Sequence, residues 1–141
     1  MRHARHCAIT QMLLLLVLPQ IAHADDPPHV ECAQALSTAE MNQCASAEFD
    51  KADAELNTAY QTALKAIPGM ATGDPPWDPK SWETALRNSQ RAWVAFRDAE
   101  CDNHVAMFWT NGSGATVDIL GCKTEKTEAR TRELKDRYEA R

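Results

Sequence analysis

The chain has 141 residues, of which 44% are hydrophobic and 25% charged, and its formal net charge is −5. This length allows about one domain and excludes an enzyme with separate cofactor and substrate domains. The acidic balance argues against nucleic-acid binding, which normally needs a basic patch. The scarcity of glycine and β-branched residues argues against a β-sandwich or barrel.

Residues 1–24 have the pattern of a secretory signal peptide. A positively charged start precedes a short apolar run at residues 12–18, and an A-x-A cleavage site ends at Ala24. The apolar run is far shorter than the roughly 20 residues that span a bilayer. We therefore expect a periplasmic or secreted protein without membrane insertion after cleavage. Residues 25–36 are then an N-terminal tail, and residues 37–141 form the domain.

Cleavage would leave a net charge of about −7, because it removes Arg2 and Arg5. It would also remove Cys7 and leave an even number of cysteines, which in an exported chain predicts two disulfides. A zinc site is the weaker alternative, since it needs closely spaced ligand pairs such as C-x-x-C. The remaining cysteines are Cys32, Cys44, Cys101 and Cys122.

The first predicted helix begins at a capping box, S-T-A-E, at residues 37–40. Apolar residues then recur at steps of three and four, which predicts a helix to about Ile67. Pro68 and Gly69 are expected to end it. Its apolar stripe is Met41, Ala45, Phe49, Ala52, Leu56, Ala59, Ala63 and Ile67.

A proline-rich loop at residues 70–80 separates this helix from a second, for which Ser81 is the expected N-cap. The loop contains Trp77. Residues 111–114, N-G-S-G, are expected to end the second helix. Its expected inward stripe is Trp82, Leu86, Ser89, Trp93, Phe96, Cys101, Val105 and Phe108.

A third helix is expected to begin near Thr116, with a stripe that is rich in threonine and therefore only weakly apolar. Rods of about 25–30 residues joined by loops predict an all-α fold, an elongated antiparallel bundle of three long helices clamped by two disulfides. The stripe of the third helix is Val117, Leu120, Thr124, Thr127, Thr131, Leu134 and Tyr138.

The helix positions of the cysteines favour two pairings. Cys101 and Cys122 each lie about 10 Å from the joint between the second and third helices, so they can face each other. Cys32 precedes the first helix by five residues, enough to fold back onto Cys44. A link between Cys44 and Cys101 stays open, because these two lie only about one turn out of register.

The chain contains none of the common catalytic or nucleotide-binding motifs. Asp98 and Glu100 do not form an acid/base pair in this interpretation, because residues two apart point to different sides of a helix. His104 is interpreted as a packed or capping side chain rather than a ligand. We therefore expect no enzymatic activity, no cofactor and no metal.

Two tryptophans at the joints are the candidate partner-binding residues, because exposed tryptophan often anchors a protein partner. Trp77 lies in the first joint. Trp109 lies beside the second, together with Asn111, Gly112 and Ser113.

Four ordered motifs resemble the LprI-like lysozyme inhibitor domain family of bacterial envelope proteins. Residues 92–101 resemble its W-x-x-F/Y-R-D-x-x-C signature, and residues 52–60 its A-D-x-x-L-N-x-x-Y segment. Residues 38–44 resemble the opening T-x-x-x-x-x-C, and residues 122–134 the closing C…T-x-x-R-x-x-x-L. The resemblance spans residues 32–134, with N-G-S where the family has G-G-S.

This resemblance implies an exported helical domain that binds, and inhibits, a lysozyme or another cell-wall lytic enzyme. The alternative is a non-enzymatic accessory or immunity-type envelope protein with a different protein partner. An acidic domain would attract a basic lysozyme and speed the encounter. The loop at residues 109–114 is the candidate wedge, in which Asn111 and Ser113 would hydrogen-bond the carboxylates of the cleft.

Overall fold

The computed structural model describes residues 30–110 and 112–139, which form helices and no strand. The predicted all-α bundle of three helices is confirmed. The predicted signal peptide lies outside the described residues. The helices are α1 (Thr38–Met70), α2 (Pro79–Asp98) and α3 (Ala115–Tyr138), with a 3₁₀ helix at Cys32–Gln34 and a π-helical segment at Ala99–Val105 that continues α2.

The start of α1 is the predicted capping box. The Ser37 hydroxyl accepts a hydrogen bond from the Glu40 backbone N–H at 3.2 Å, and the Glu40 carboxylate accepts one from the Ser37 backbone N–H at 2.9 Å. The predicted stop at Pro68-Gly69 was wrong, since α1 continues to Met70 with Pro68 inside its last turns. A proline this close to a helix end removes only one intrahelical hydrogen bond, and the burial of Ile67 and Ala71 holds the turn around it.

The start of α2 differs from the prediction, because Asp78 rather than Ser81 is the N-cap. One carboxylate oxygen of Asp78 accepts hydrogen bonds from the backbone N–H groups of Lys80 at 3.0 Å and Ser81 at 3.1 Å. Pro79 occupies the first helical position, where its missing N–H costs nothing and its fixed φ suits the helix. The last proline of the loop therefore begins α2.

Consecutive helices run in opposite directions. Arg97, near the end of α2, contacts Asp53 of α1 and Thr127 of α3. Gln90, two turns earlier on α2, contacts Arg130, which lies later on α3. The largest interface joins α1 to α3, so α2 packs against an α1–α3 pair.

The apolar core lies at one end of the bundle, next to the α1–α2 joint. We call this the apolar end. Alanines supply much of α1's contribution, and small side chains let helices approach closely. The buried cluster is Leu56, Ala59, Ala63, Ile67, Ala71, Leu86, Leu134 and Tyr138.

The predicted stripes of α1 and α3 are buried where they meet this core, but that of α2 was partly wrong. Leu86 and Cys101 are buried, whereas Phe96 is 56% exposed and Phe108 77% exposed. Arg97 is buried instead of Phe96, because its guanidinium finds polar partners on α1 and α3. Phe108 follows the π-helical segment, whose wider turns shift every later residue away from the α-helical period.

Both favoured disulfides are confirmed, and the open Cys44–Cys101 alternative was wrong. The Cα atoms are 5.6 Å apart in Cys32–Cys44 and 5.7 Å apart in Cys101–Cys122. Phe49 lies just over one turn after Cys44, and Lys123 directly follows Cys122. Because the Lys123 ammonium is 5.8 Å from the centre of the Phe49 ring, the two disulfides lie at the same end of the bundle. We call this the disulfide end.

Candidate functional site

The interior of the disulfide end is built around a buried arginine. The Arg97 guanidinium donates hydrogen bonds to Asp98 at 3.0 Å, to Thr127 at 3.3 Å and to Asp53 at 3.4 Å. The same group lies 5.3 Å from the ring centres of both Phe49 and Trp93. Acceptors on all three helices thus receive hydrogen bonds from its Nε and Nη1 groups, and the two carboxylates balance its charge, which keeps a buried cation stable.

A lysine on α3 ties the π-helical segment to the bundle. Lys123 Nζ lies 2.8 Å from Asp102 Oδ1 and 3.7 Å from Asp98 Oδ1, and the lysine side chain is 17% exposed. Cys122, the residue before it, is bonded to the fully buried Cys101. The Cys101–Cys122 disulfide and the Lys123–Asp102 ion pair therefore attach the segment Ala99–Val105 to two adjacent residues of α3. π-helical turns are rare and occur frequently at functional sites.

Beyond this fixed segment, the chain presents two large apolar side chains to solvent. Met107 is 73% exposed and Phe108 is 77% exposed. The rings of Phe108 and His104 pack in a T-shaped arrangement with their centroids 5.4 Å apart, and His104 Nδ1 lies 3.6 Å from Glu100 Oε1. We call residues 104–114 the tip.

Trp109 holds the base of the tip rather than projecting from it. Its indole N–H donates to Asp118 Oδ2 at 2.7 Å, and its side chain is half-buried. The six-membered ring of Trp109 occupies the space that a Cβ atom on Gly114 would need, so only glycine fits there. Thr110 follows with a left-handed φ of 44°, which turns the chain toward α3.

The predicted site residues fall at two separate places. Gly112 and Ser113 are exposed on the tip, and Asn111 lies outside the described residues. Trp77 is 71% exposed, but it lies in the α1–α2 joint at the apolar end. The helical run between the joints is 27 residues long, or roughly 40 Å at 1.5 Å per residue. The structure therefore does not bring Trp77 together with the tip.

Met107 and Phe108 are the exposed residues of the tip that sequence reasoning missed. An uninterrupted α-helix would place Phe108 on the inward stripe of α2. Nothing in the sequence around Met107 distinguishes it from a residue of the core. The π-helical segment that exposes them has no sequence signature of its own here, although two acidic residues, a cysteine and a histidine within seven residues form an unusually polar stretch for a packed helix.

Two glutamates have lowered pKa values, and both have structural causes. The backbone N–H of Ser37 lowers the pKa of Glu40 within the capping box. Hydrogen bonding from Arg130 lowers the pKa of Glu133, and Arg137 adds to this effect. Neither carboxylate lies at the tip. Within residues 30–110 and 112–139, no group of three or more His, Cys, Asp or Glu side chains could hold a metal ion.

Comparison with known proteins identifies the chain. Residues 31–134 match the model of the family described as Lysozyme inhibitor LprI. The chain belongs to this family. The match includes both disulfides, the buried Arg97 and the whole tip.

Its relatives include an uncharacterized protein of Rhizobium meliloti, 34% identical over 136 residues, which make up 94% of this chain and 96% of that protein. The uncharacterized protein YecT of Escherichia coli is 32% identical over 98 residues, which are 67% of this chain and 60% of YecT. No solved structure gives a significant match. Of the helices that the structure describes, none is long and apolar enough to cross a membrane.

Proposed function

We propose that this LprI-family protein is an exported, non-enzymatic inhibitor that binds a lysozyme or another cell-wall lytic enzyme through its tip. Its family is described as a lysozyme inhibitor, which supports the class of partner. Two disulfides support an oxidising compartment such as the periplasm or the exterior of the cell. The signal-peptide pattern at residues 1–24 supports export.

The observation that carries the proposal is the exposure of Met107 and Phe108 beside a disulfide-clamped segment. A few side chains that fill pockets of the partner typically supply most of the binding free energy of a protein interface, and Met and Phe are enriched in such interfaces. Here they follow a segment that Cys101–Cys122 and Lys123 already hold in place. Little conformational entropy would then be lost on binding, which favours affinity.

The charges around the tip also suit a basic partner. Glu100 and Asp102 lie in the π-helical segment that leads into the tip, Asp118 accepts a hydrogen bond from Trp109, and the whole chain has a net charge of −5. An acidic surface steers a basic enzyme toward it and raises the association rate. In this arrangement Met107 and Phe108 enter the substrate cleft, and Asn111 and Ser113 hydrogen-bond polar groups at its edge.

The test is an inhibition assay with the oxidised protein against lysozymes of several classes. The double variant Met107→Ser/Phe108→Ser should raise the inhibition constant by at least about tenfold, since a buried anchor contributes about 2 kcal/mol or more. Its melting temperature should stay nearly unchanged, because both side chains are exposed. Trp77→Ala is the matched control, an equally exposed aromatic residue at the opposite end.

Two results would contradict the proposal. If Trp77→Ala weakens inhibition and the tip variant does not, the contact lies at the α1–α2 joint. If the wild-type protein inhibits no lysozyme, the accessory or immunity-type function becomes the better account. Association should also slow as salt is added, because the Debye length falls from about 10 Å at 0.1 M to about 3 Å at 1 M.

A further inference from the structure

A groove between α1 and α2, separate from the tip, has the properties of a small-molecule site. Its volume is about 530 Å³, within the usual range for ligand pockets. Leu56, Val94 and Ala95 give it an aliphatic floor. Val94 precedes Phe108 by 14 residues, so the groove lies roughly 20 Å from the tip along the helix axis.

The rim of the groove is rich in cationic hydrogen-bond donors. Arg87 and Arg91 lie one helical turn apart on α2. Arg87 forms an ion pair with Glu83 at 2.7 Å, in which both side chains are about half exposed. Arg91 donates to the Asn88 side chain and forms no ion pair with any residue in the described part of the chain. Its charge therefore remains available to a ligand, although the protein as a whole is acidic.

Two of the acceptors in the groove, on Asp53 and Gln90, already accept hydrogen bonds from other residues. Asp53 is the acidic residue of its lining, and this carboxylate accepts hydrogen bonds from Arg97 at 3.4 Å and from Asn57 at 3.1 Å. The side-chain oxygen of Gln90 accepts from Arg130 at 3.1 Å, which leaves its amide nitrogen to donate. The donors that remain, on Arg91 and on the Gln90 amide, favour a ligand with acceptors, and a carboxylate matches an arginine in both charge and geometry.

We propose that the α1–α2 groove binds a carboxylate-bearing sugar of one or two rings, with Arg91 binding the carboxylate. A sugar ring has an apolar face for the aliphatic floor and hydroxyl groups for the amides of Asn57 and Gln90. The prediction that the ligand carries a carboxylate rests on the groove alone. The choice of muramic acid, the acidic sugar of the bacterial cell wall, rests on the proposed function.

The experiment is isothermal titration of the oxidised full chain with two disaccharides. One contains N-acetylmuramic acid, and the other, N,N′-diacetylchitobiose, lacks the carboxylate. The acidic disaccharide should bind at least about tenfold more tightly, because a hydrogen-bonded charge pair contributes about 1.5 kcal/mol or more. Arg91→Gln should abolish this preference while the melting temperature stays unchanged.

Arg132→Gln is the matched control, since Arg132 is an exposed arginine on α3 that pairs with Glu128 at 3.8 Å. It should leave the preference intact. Equal binding of the two disaccharides, binding of neither, or an unchanged preference in Arg91→Gln would each overturn the proposal. No lytic enzyme is present in this titration, and Met107→Ser/Phe108→Ser should not alter it. A failure here is therefore distinct from a failure of inhibition.

Discussion

The two ends of the bundle are held together by different forces. At the apolar end, alanine, leucine, isoleucine and tyrosine side chains from all three helices are buried together, and the described residues there include no disulfide. At the disulfide end the interior contains Arg97 and Thr127, and Lys123 lies at its edge. Covalent bonds and charge-assisted hydrogen bonds replace hydrophobic burial there.

The difference follows from what each end exposes. Hydrophobic burial stabilises a helix end only if its large apolar side chains point inward. At the disulfide end Met107 and Phe108 point into solvent, so they add nothing to the core. A cross-link and an ion-pair network hold that end without using them. The apolar side chains of the tip thus remain free for a partner.

The largest effect is expected from the apolar end. Leu134 is 1% exposed, and Leu134→Ala should lower the free energy of unfolding by about 3–4 kcal/mol through lost burial and the cavity left behind. Urea titration measures this change. Leu36→Ala is the control, since Leu36 is 91% exposed and its loss should cost less than about 0.5 kcal/mol. Similar costs for the two variants would refute the position of the core.

Removing the disulfide of the tip should have the next largest effect. Cys101→Ala/Cys122→Ala opens a loop with a sequence separation of 21 and should cost about 3 kcal/mol in the chain-entropy model. Amide exchange should accelerate most in residues 99–110. Cys32→Ala/Cys44→Ala is the comparison variant, and it should leave exchange in that segment slow. Equal acceleration in both variants would show that Cys101–Cys122 does not clamp the tip.

Substitutions of Arg97 test the polar interior of the disulfide end. Arg97→Met keeps most of the volume but removes the hydrogen bonds to Asp53, Asp98 and Thr127, and it should cost about 2 kcal/mol. The loss of stability is moderate because the carboxylates of Asp53 and Asp98 are about 40% exposed, so water replaces the hydrogen bonds from the arginine. Arg97→Lys keeps the charge but cannot reach all three acceptors, so we expect an intermediate value from thermal unfolding. A more stable Arg97→Met protein would mean that the arginine serves function rather than stability.

The smallest effect is expected from pH. The pKa values of Glu40 and Glu133 are lower in the folded protein than the ordinary 4.5. The unfolded chain therefore binds more protons in acid, so their contribution is present above about pH 4.5 and is lost as the pH falls through the folded values. The melting temperature should drop over this range. Glu133→Gln should reduce the drop, because it removes a carboxyl group whose pKa is lowered in the folded protein.

The parts of the fold that follow local rules were predictable from the sequence. The capping box at Ser37 and the stripe of α3 depend on residues three or four apart, and both are found as expected. Helix lengths and the reach of an extended segment favoured the two disulfide pairings, but they left Cys44–Cys101 open, and only the structure excludes that alternative. Asp78 was missed as the N-cap because Pro79 was counted as a loop residue rather than as the first residue of a helix.

The candidate site was less predictable, because it depends on tertiary contacts. Burial of Arg97 requires acceptors from α1 and α3, which lie 44 and 30 residues away along the chain. The periodicity of α2 alone pointed to Phe96 instead. The roles of Trp77, Trp109, Asn111, Gly112 and Ser113 in partner binding stay predictions.

The number of residues in the π-helical segment sets the orientation of the tip. In an α-helix each residue turns the chain by about 100°, so deleting one residue from Ala99–Val105 would rotate everything beyond it by roughly that angle. Phe108 would then leave its present solvent-exposed direction, while the loop sequence stayed unchanged. The length of this segment, and not only the sequence of the loop, therefore determines the direction in which the apolar side chains of the tip point.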